Sequence, residues 1–111
     1  ITFTKKASDT GIRVAWNDNF RVLGNNTACR WEIVFNGASC SNPGVIGFDK
    51  YEGNTSSNRH DPNSVFGTCF GLAAGTVAIS TKVYPSPGYG VTDCYTGWNS
   101  ALVTLEAEEV R

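Results

Sequence analysis

Methionine is absent from the 111 residues, and histidine occurs once. A serine hydrolase needs a base within reach of its nucleophile, and only His60 could serve, with no Gly-x-Ser-x-Gly elbow beside any serine. Charge is also scarce. Charged residues make up 17% of the chain, 9 Lys and Arg against 10 Asp and Glu, and the basic ones are scattered. No basic stripe exists to follow a phosphate backbone, so nucleic acid is not an expected partner. No apolar run approaches the ~20 residues of a membrane span, and membrane insertion is not expected. Gly71 and Gly75 lack both the GxGxxG pattern and a Gly-Lys-Ser ending, which excludes the common phosphate loops. No Cys-x-x-Cys pair nucleates a zinc site. The expectation is a protein without metal, cofactor or catalytic residues. With no signal peptide and no methionine, the chain reads as a processed or excised piece of something longer.

What is present describes a cross-linked β protein. Hydrophobic residues at 41% support a packed core, and the length suits one domain over residues 1–111. Cys29, Cys40, Cys69 and Cys94 are spaced by 11, 29 and 25 positions. Two disulfides are the expected use, with all three pairings open. Two glycan acceptor sequons accompany them, Asn25-Asn26-Thr27 and Asn54-Thr55-Ser56, each in a polar, turn-like segment. Cysteines and sequons together point to an oxidising, secreted compartment.

The stretch from Cys29 to Cys40 organises the chain. Trp31, Ile33 and Phe35 alternate with Arg30, Glu32 and Val34, which predicts a strand with one face buried and most of the other wet. Asn36-Gly37 then predicts a type I′ hairpin turn. Upstream, Ile1 to Thr4 reads as a short strand closed by Lys5-Lys6, charges that discourage edge pairing. Ile12, Val14 and Trp16 form a second strand, Asn17-Asp18-Asn19 a loop, and Phe20 to Leu23 a third strand. Downstream, Val45 to Tyr51 is a strand, and Glu52 to Asn63 a surface excursion. Val65 to Phe70 directs Cys69 to the same side as Val65. Thr76 to Tyr84 is the longest strand candidate, with Val77, Ile79 and Val83 on one face. Thr76, Ala78, Ser80 and Lys82 make the other, a solvated face or a close-packing one. Tyr89 to Gly97 reads as a loop anchored by Cys94, and Ala101 to Val110 as a strand despite its helix-favouring Leu, Ala and Glu. Eight or nine short strands with regular turns describe an all-β antiparallel sandwich or jelly roll, stabilised by disulfides.

Three motifs, RWEIVFNGASCS (30–41), GTCFGLAAG (67–75) and TGWNSALVTLEAEE (96–109), resemble the C-terminal domain of the collagen triple helix repeat-containing proteins. Ile12 to Val14 fits as well, so the likeness spans nearly the whole chain. The resemblance implies a jelly roll similar to the heads of complement component 1q and tumour necrosis factor, assembling as a homotrimer. Three associated heads would align three collagen-like segments in register, which makes a costly encounter of disordered tails local. It further implies extracellular matrix and Wnt-pathway roles, with Wnt or Frizzled-type receptors or matrix proteins as partners, and it ranks Asn54 above Asn25 as a glycan site. The chain departs from the vertebrate members of the family at Leu23 and Ala28, where those carry cysteines, so no interchain disulfide is expected through these positions. Its four cysteines can all pair within the head.

Glu106, Glu108 and Glu109 read as a charged outer surface rather than paired acids. Asp49, Asp61 and Asp93 are ordinary loop aspartates rather than a calcium site. His60 reads as a solvated loop histidine. Trp16, Tyr89, Tyr95 and Trp98 could stack on sugar rings, which gives the alternative of a monomeric carbohydrate-binding β-sandwich. Trp98 is otherwise a core or interface anchor; fully buried, its loss would cost roughly 3–5 kcal/mol.

Overall fold

The computed structural model describes residues 1–54, 56–90, 93–98 and 103–111. Among them every regular element is a strand. The order is β1 Thr2–Lys5, β2 Gly11–Leu23, β3 Thr27–Phe35, β4 Ala38–Ser39, β5 Ile46–Glu52, β6 Asp61–Cys69, β7 Gly75–Pro85, β8 Asp93–Thr96 and β9 Thr104–Val110. All pairings are antiparallel, in two sheets. The first runs β1-β7-β3, with β5 and the short β4 sharing the far side of β3. In the second, β6 lines one side of β2, while β8 takes residues 20–23 and β9 residues 11–17 on the other. This two-layer, all-antiparallel arrangement is consistent with a jelly roll.

The alternation of β3 builds the core. Cys29, Trp31, Ile33 and Phe35 face the second sheet and are buried against Ile12, Val14, Trp16, Phe20 and Val22 of β2. Phe20 is the hub, meeting Trp16, Trp31 and Phe48 edge-on at 5.1, 5.2 and 4.9 Å. The disulfides join Cys29 to Cys94 and Cys40 to Cys69. Each links the two layers: β3 to β8, and the end of the β3-β4 hairpin to the end of β6. The hairpin turn follows its sequence signal, with Asn36 and Gly37 at φ of 52° and 79°, the positive pair of a type I′ turn.

Several expectations are corrected. The second face of β3 is not wet: Glu32 and Val34 are 1% and 5% exposed. The Glu32 carboxylate accepts hydrogen bonds from the hydroxyls of Ser39 (2.8 Å) and Tyr84 (2.7 Å), which replace its lost water. Asn17-Asp18-Asn19 is not a loop but the middle of β2. Asp18 accepts from the Trp16 indole at 3.0 Å and from the Asn19 amide at 2.7 Å, so a turn-forming residue is satisfied within the strand. The segment after Gly90 includes a strand, β8, held by its pairing with β2 and by Cys94. Lys5 is 1% exposed rather than a solvated edge charge, its ammonium group bonded to the Ala7 carbonyl.

The last strand, β9, confirms the strand reading of Thr104 to Val110, with Leu105 and Ala107 packed on the core; Ala101 lies outside the described residues. Glu109 leaves the outer surface assigned to it. It accepts from the Lys6 amide (2.8 Å), the Ala7 amide (2.9 Å) and the Thr10 hydroxyl (2.5 Å), closing the β1-β2 loop onto β9. These bonds, that of Thr10 foremost, lower its pKa from 4.5 to about 2. A depressed carboxylate stabilises the fold above its unfolded pKa, and that contribution is lost as pH falls through the folded one. The urea midpoint of Glu109→Gln is therefore expected below that of the unmodified chain above pH 4.5, with the gap closing toward pH 2. A gap constant across that range would contradict the assignment.

Candidate functional site

The outer face of the second sheet is where exposed apolar and aromatic groups gather. Alternation along β2 turns Arg13, Ala15, Asn17, Asn19 and Arg21 away from the core, because Ile12, Val14, Trp16, Phe20 and Val22 face into it. Register then brings a partner to each from the neighbouring strands. Thr68 and Glu108 flank Arg13, Phe66 and Glu106 flank Ala15, and Ser64 and Thr104 flank Asn17. Arg21 lies opposite Tyr95.

Phe66 is the most conspicuous of these side chains, 76% exposed beside the small Ala15. It borders a shallow depression of about 760 Å³ shared with Arg13, Glu106 and Glu108. Arg13 pairs with Glu108. The next row is neutral and mutually satisfied, with the Ser64 hydroxyl donating to Asn17 Oδ1 (2.5 Å) and Asn17 Nδ2 to Thr104 Oγ1 (2.9 Å).

An aromatic cluster occupies the other end. Trp98 stacks on His60 with ring centroids 4.0 Å apart, and His60 meets Tyr95 edge-on at 5.5 Å. The Arg21 guanidinium sits 5.1 Å from the Tyr95 ring centre. Asn58 Oδ1 at 3.0 Å and Asp93 Oδ2 at 2.9 Å hold it there. His60 Nδ1 and Arg21 Nε are buried with no hydrogen-bond partner among the described residues. His60 is thus half-buried under aromatic rings rather than solvated. Trp98, 52% exposed, is not a core residue. All four lysines of the chain, Lys5, Lys6, Lys50 and Lys82, lie outside the strands of this sheet.

The other residues singled out in the sequence lie elsewhere. Trp16 is 3% exposed, which removes it from any sugar-stacking surface, and Tyr89 sits by Tyr51 on the first sheet, apart from Tyr95 and Trp98. Asp49, Asp61 and Asp93 do not converge; each faces a cation, Arg30, Lys50 and Arg21 respectively. Lys50 holds the Asp61 carboxyl below its usual range. Among the described residues no cluster of His, Cys, Asp and Glu could hold a metal ion. Asn25 and Asn54 are exposed, as are Thr76, Ala78, Ser80 and Lys82. Phe66 was not singled out from sequence, although Cys69 carried the signal: a half-cystine directed inward leaves Phe66, of opposite parity, facing out.

Comparison with known families gives one assignment. The family model described as CTHRC1, C-terminal domain matches residues 1–104, and the chain belongs to that family. No solved structure matches the chain.

Proposed function

From that membership we propose that the chain is a secreted, non-catalytic head that joins three copies of itself and so aligns a collagen-like segment of the same protein. The observation that carries this reading is the lysine-free outer face with Phe66 76% exposed at one end and Trp98, Tyr95 and Arg21 clustered at the other. Interface centres are enriched in aromatic residues and arginine and depleted in lysine, and a few such residues carry most of the affinity. In a threefold assembly each copy would bury this face against its neighbour, and the Asn17 row, already hydrogen-bonded internally, could be covered without stranding polar atoms. The two disulfides support an oxidising, extracellular setting. Wnt or Frizzled-type receptors and matrix proteins are the signalling and structural partners this reading takes from the family. Asn54 and Asn25 are its glycan sites, and a mass loss on enzymatic glycan removal checks them; an unchanged mass would remove both.

The face is tested by light scattering on Phe66→Glu and Trp98→Ala. Each is expected to move the chain from trimer to monomer at micromolar concentration, since hot-spot truncations cost about 2 kcal/mol or more. Lys82→Ala, on the other sheet, should leave the mass unchanged. Trimers persisting in both face variants would contradict the assignment.

A further inference from the structure

The outer face of the first sheet carries a second site, built around Ala28. The segment Ser86-Pro87-Gly88-Tyr89 folds into a tight turn in which the Tyr89 amide donates to the Ser86 carbonyl at 3.0 Å and Gly88 takes φ of 89°. Proline and then a positive-φ glycine at the two central positions are the signature of a type II turn. The turn holds the Tyr89 ring beside Tyr51, the centroids 6.3 Å apart and the planes at 64°. Tyr51 is fixed from behind by its hydroxyl, which donates to Asn26 Oδ1 at 2.5 Å. The two rings, 42% and 56% exposed, wall a groove of about 250 Å³ floored by Ala28. Along its base the Arg30 guanidinium donates twice to the Asp49 carboxylate, both at 3.0 Å, and the Ser86 hydroxyl adds a third bond at 2.6 Å.

We propose that this groove is a carbohydrate-binding site for a neutral pyranose. One tyrosine face can stack on the apolar C–H face of the sugar while the second closes the side. Two of the five N–H groups of Arg30 go to Asp49, so further donors are available to ring hydroxyls. Asp49 Oδ2, bonded by Arg30 at 3.0 Å, has a second lone pair that can accept from a sugar hydroxyl. The lining charges cancel, one Arg against one Asp, which gives a sulfated or carboxylated sugar no electrostatic advantage. A proline-rich peptide fits the aromatic walls and its carbonyls can accept from Arg30, but it has no N–H to give Asp49, whereas a sugar hydroxyl both donates and accepts. The groove lies on the sheet opposite Phe66 and Trp98, outside the face assigned above to self-association. Three heads in one assembly would add avidity to a weak single-site affinity.

Saturation-transfer NMR tests the site with methyl mannoside, methyl galactoside, methyl glucoside and N-acetylglucosamine, beside a heparin hexasaccharide and a polyproline peptide. The chain carries Asn25→Gln so that no oligosaccharide of its own lies next to Asn26. Transfer to at least one neutral sugar is expected, weakened about tenfold or more by Tyr89→Ala and by Arg30→Met. Tyr89→Ala lies in an exposed turn and should keep the melting temperature, and Trp98→Ala should keep sugar binding while losing assembly. Absence of transfer to every neutral sugar, transfer unchanged in Tyr89→Ala, or binding of the heparin fragment or the peptide alone would overturn the proposal.

Discussion

Trp31→Ala is expected to destabilise the fold by roughly 3–5 kcal/mol, the range for removing a fully buried aromatic. Trp31 is 0% exposed at the centre of β3. Its ring stacks on Phe48 at 5.5 Å with planes 16° apart and receives the edge of Phe20 at 5.2 Å. Its indole N–H donates to Thr96 Oγ1 at 2.7 Å, which ties the central strand of one sheet to β8 of the other. Alanine removes the packing of both neighbours and this bond, and the surrounding strands are too cross-linked to collapse into the space. Equilibrium urea unfolding of a disulfide-intact, monomeric background measures the loss. The same experiment on Trp98→Ala should show a change within about 0.5 kcal/mol, since exposed positions contribute little. Equal effects at the two tryptophans would mean that the core is misplaced.

Removing the Cys29–Cys94 bridge by a double change to alanine should cost about 4 kcal/mol. The bridge closes a 65-residue separation, and loop-closure entropy predicts a value of that order. Cys40–Cys69, with a separation of 29, lies within the larger loop and already restrains part of it, so the measured loss should fall somewhat below the single-loop figure. Against a typical total of about 5–15 kcal/mol for a domain, either bridge is a large fraction. Thermal unfolding of Cys29→Ala/Cys94→Ala should show a midpoint many degrees lower with Cys40–Cys69 intact. A midpoint within a degree or two of the parent would show that β3 and β8 are held together by packing alone.

The strand pattern was legible wherever large apolar residues alternate. β3, the second half of β6 and the buried half of β7 follow from Trp31, Ile33, Phe35, Val65, Cys69, Val77 and Ile79 at period two, whereas Asp61 to Asn63, read as part of a surface excursion, open β6 by pairing with Asp18 to Phe20. Reading failed where polar side chains satisfy the backbone inside a strand. Asn17-Asp18-Asn19 carries loop chemistry, yet the indole of Trp16 and the side chains of Ser64 and Thr104 complete its hydrogen bonds, and that completion comes from residues up to 87 positions away. Glu32 and Lys5 failed for the same reason: their burial depends on hydroxyl and carbonyl partners that alternation does not encode. The candidate face was half legible. Tyr95 and Trp98 were visible as aromatics, but the sequence could not bring His60 and Arg21 to them, because register between β2 and β8 and the course of the β5-β6 connection decide that contact. Alternation marks Tyr51 and Arg30 only as strand residues. Their site exists because Ser86 to Tyr89 folds back over β3, with the Ser86 amide bonded to the Ala28 carbonyl at 2.9 Å.

Sedimentation equilibrium of the unmodified, oxidised chain at micromolar concentration tests self-association most directly. The threefold assembly proposed from family membership predicts a single species of three times the 11.9 kDa chain mass. A fit to one chain mass across the whole concentration range would contradict it.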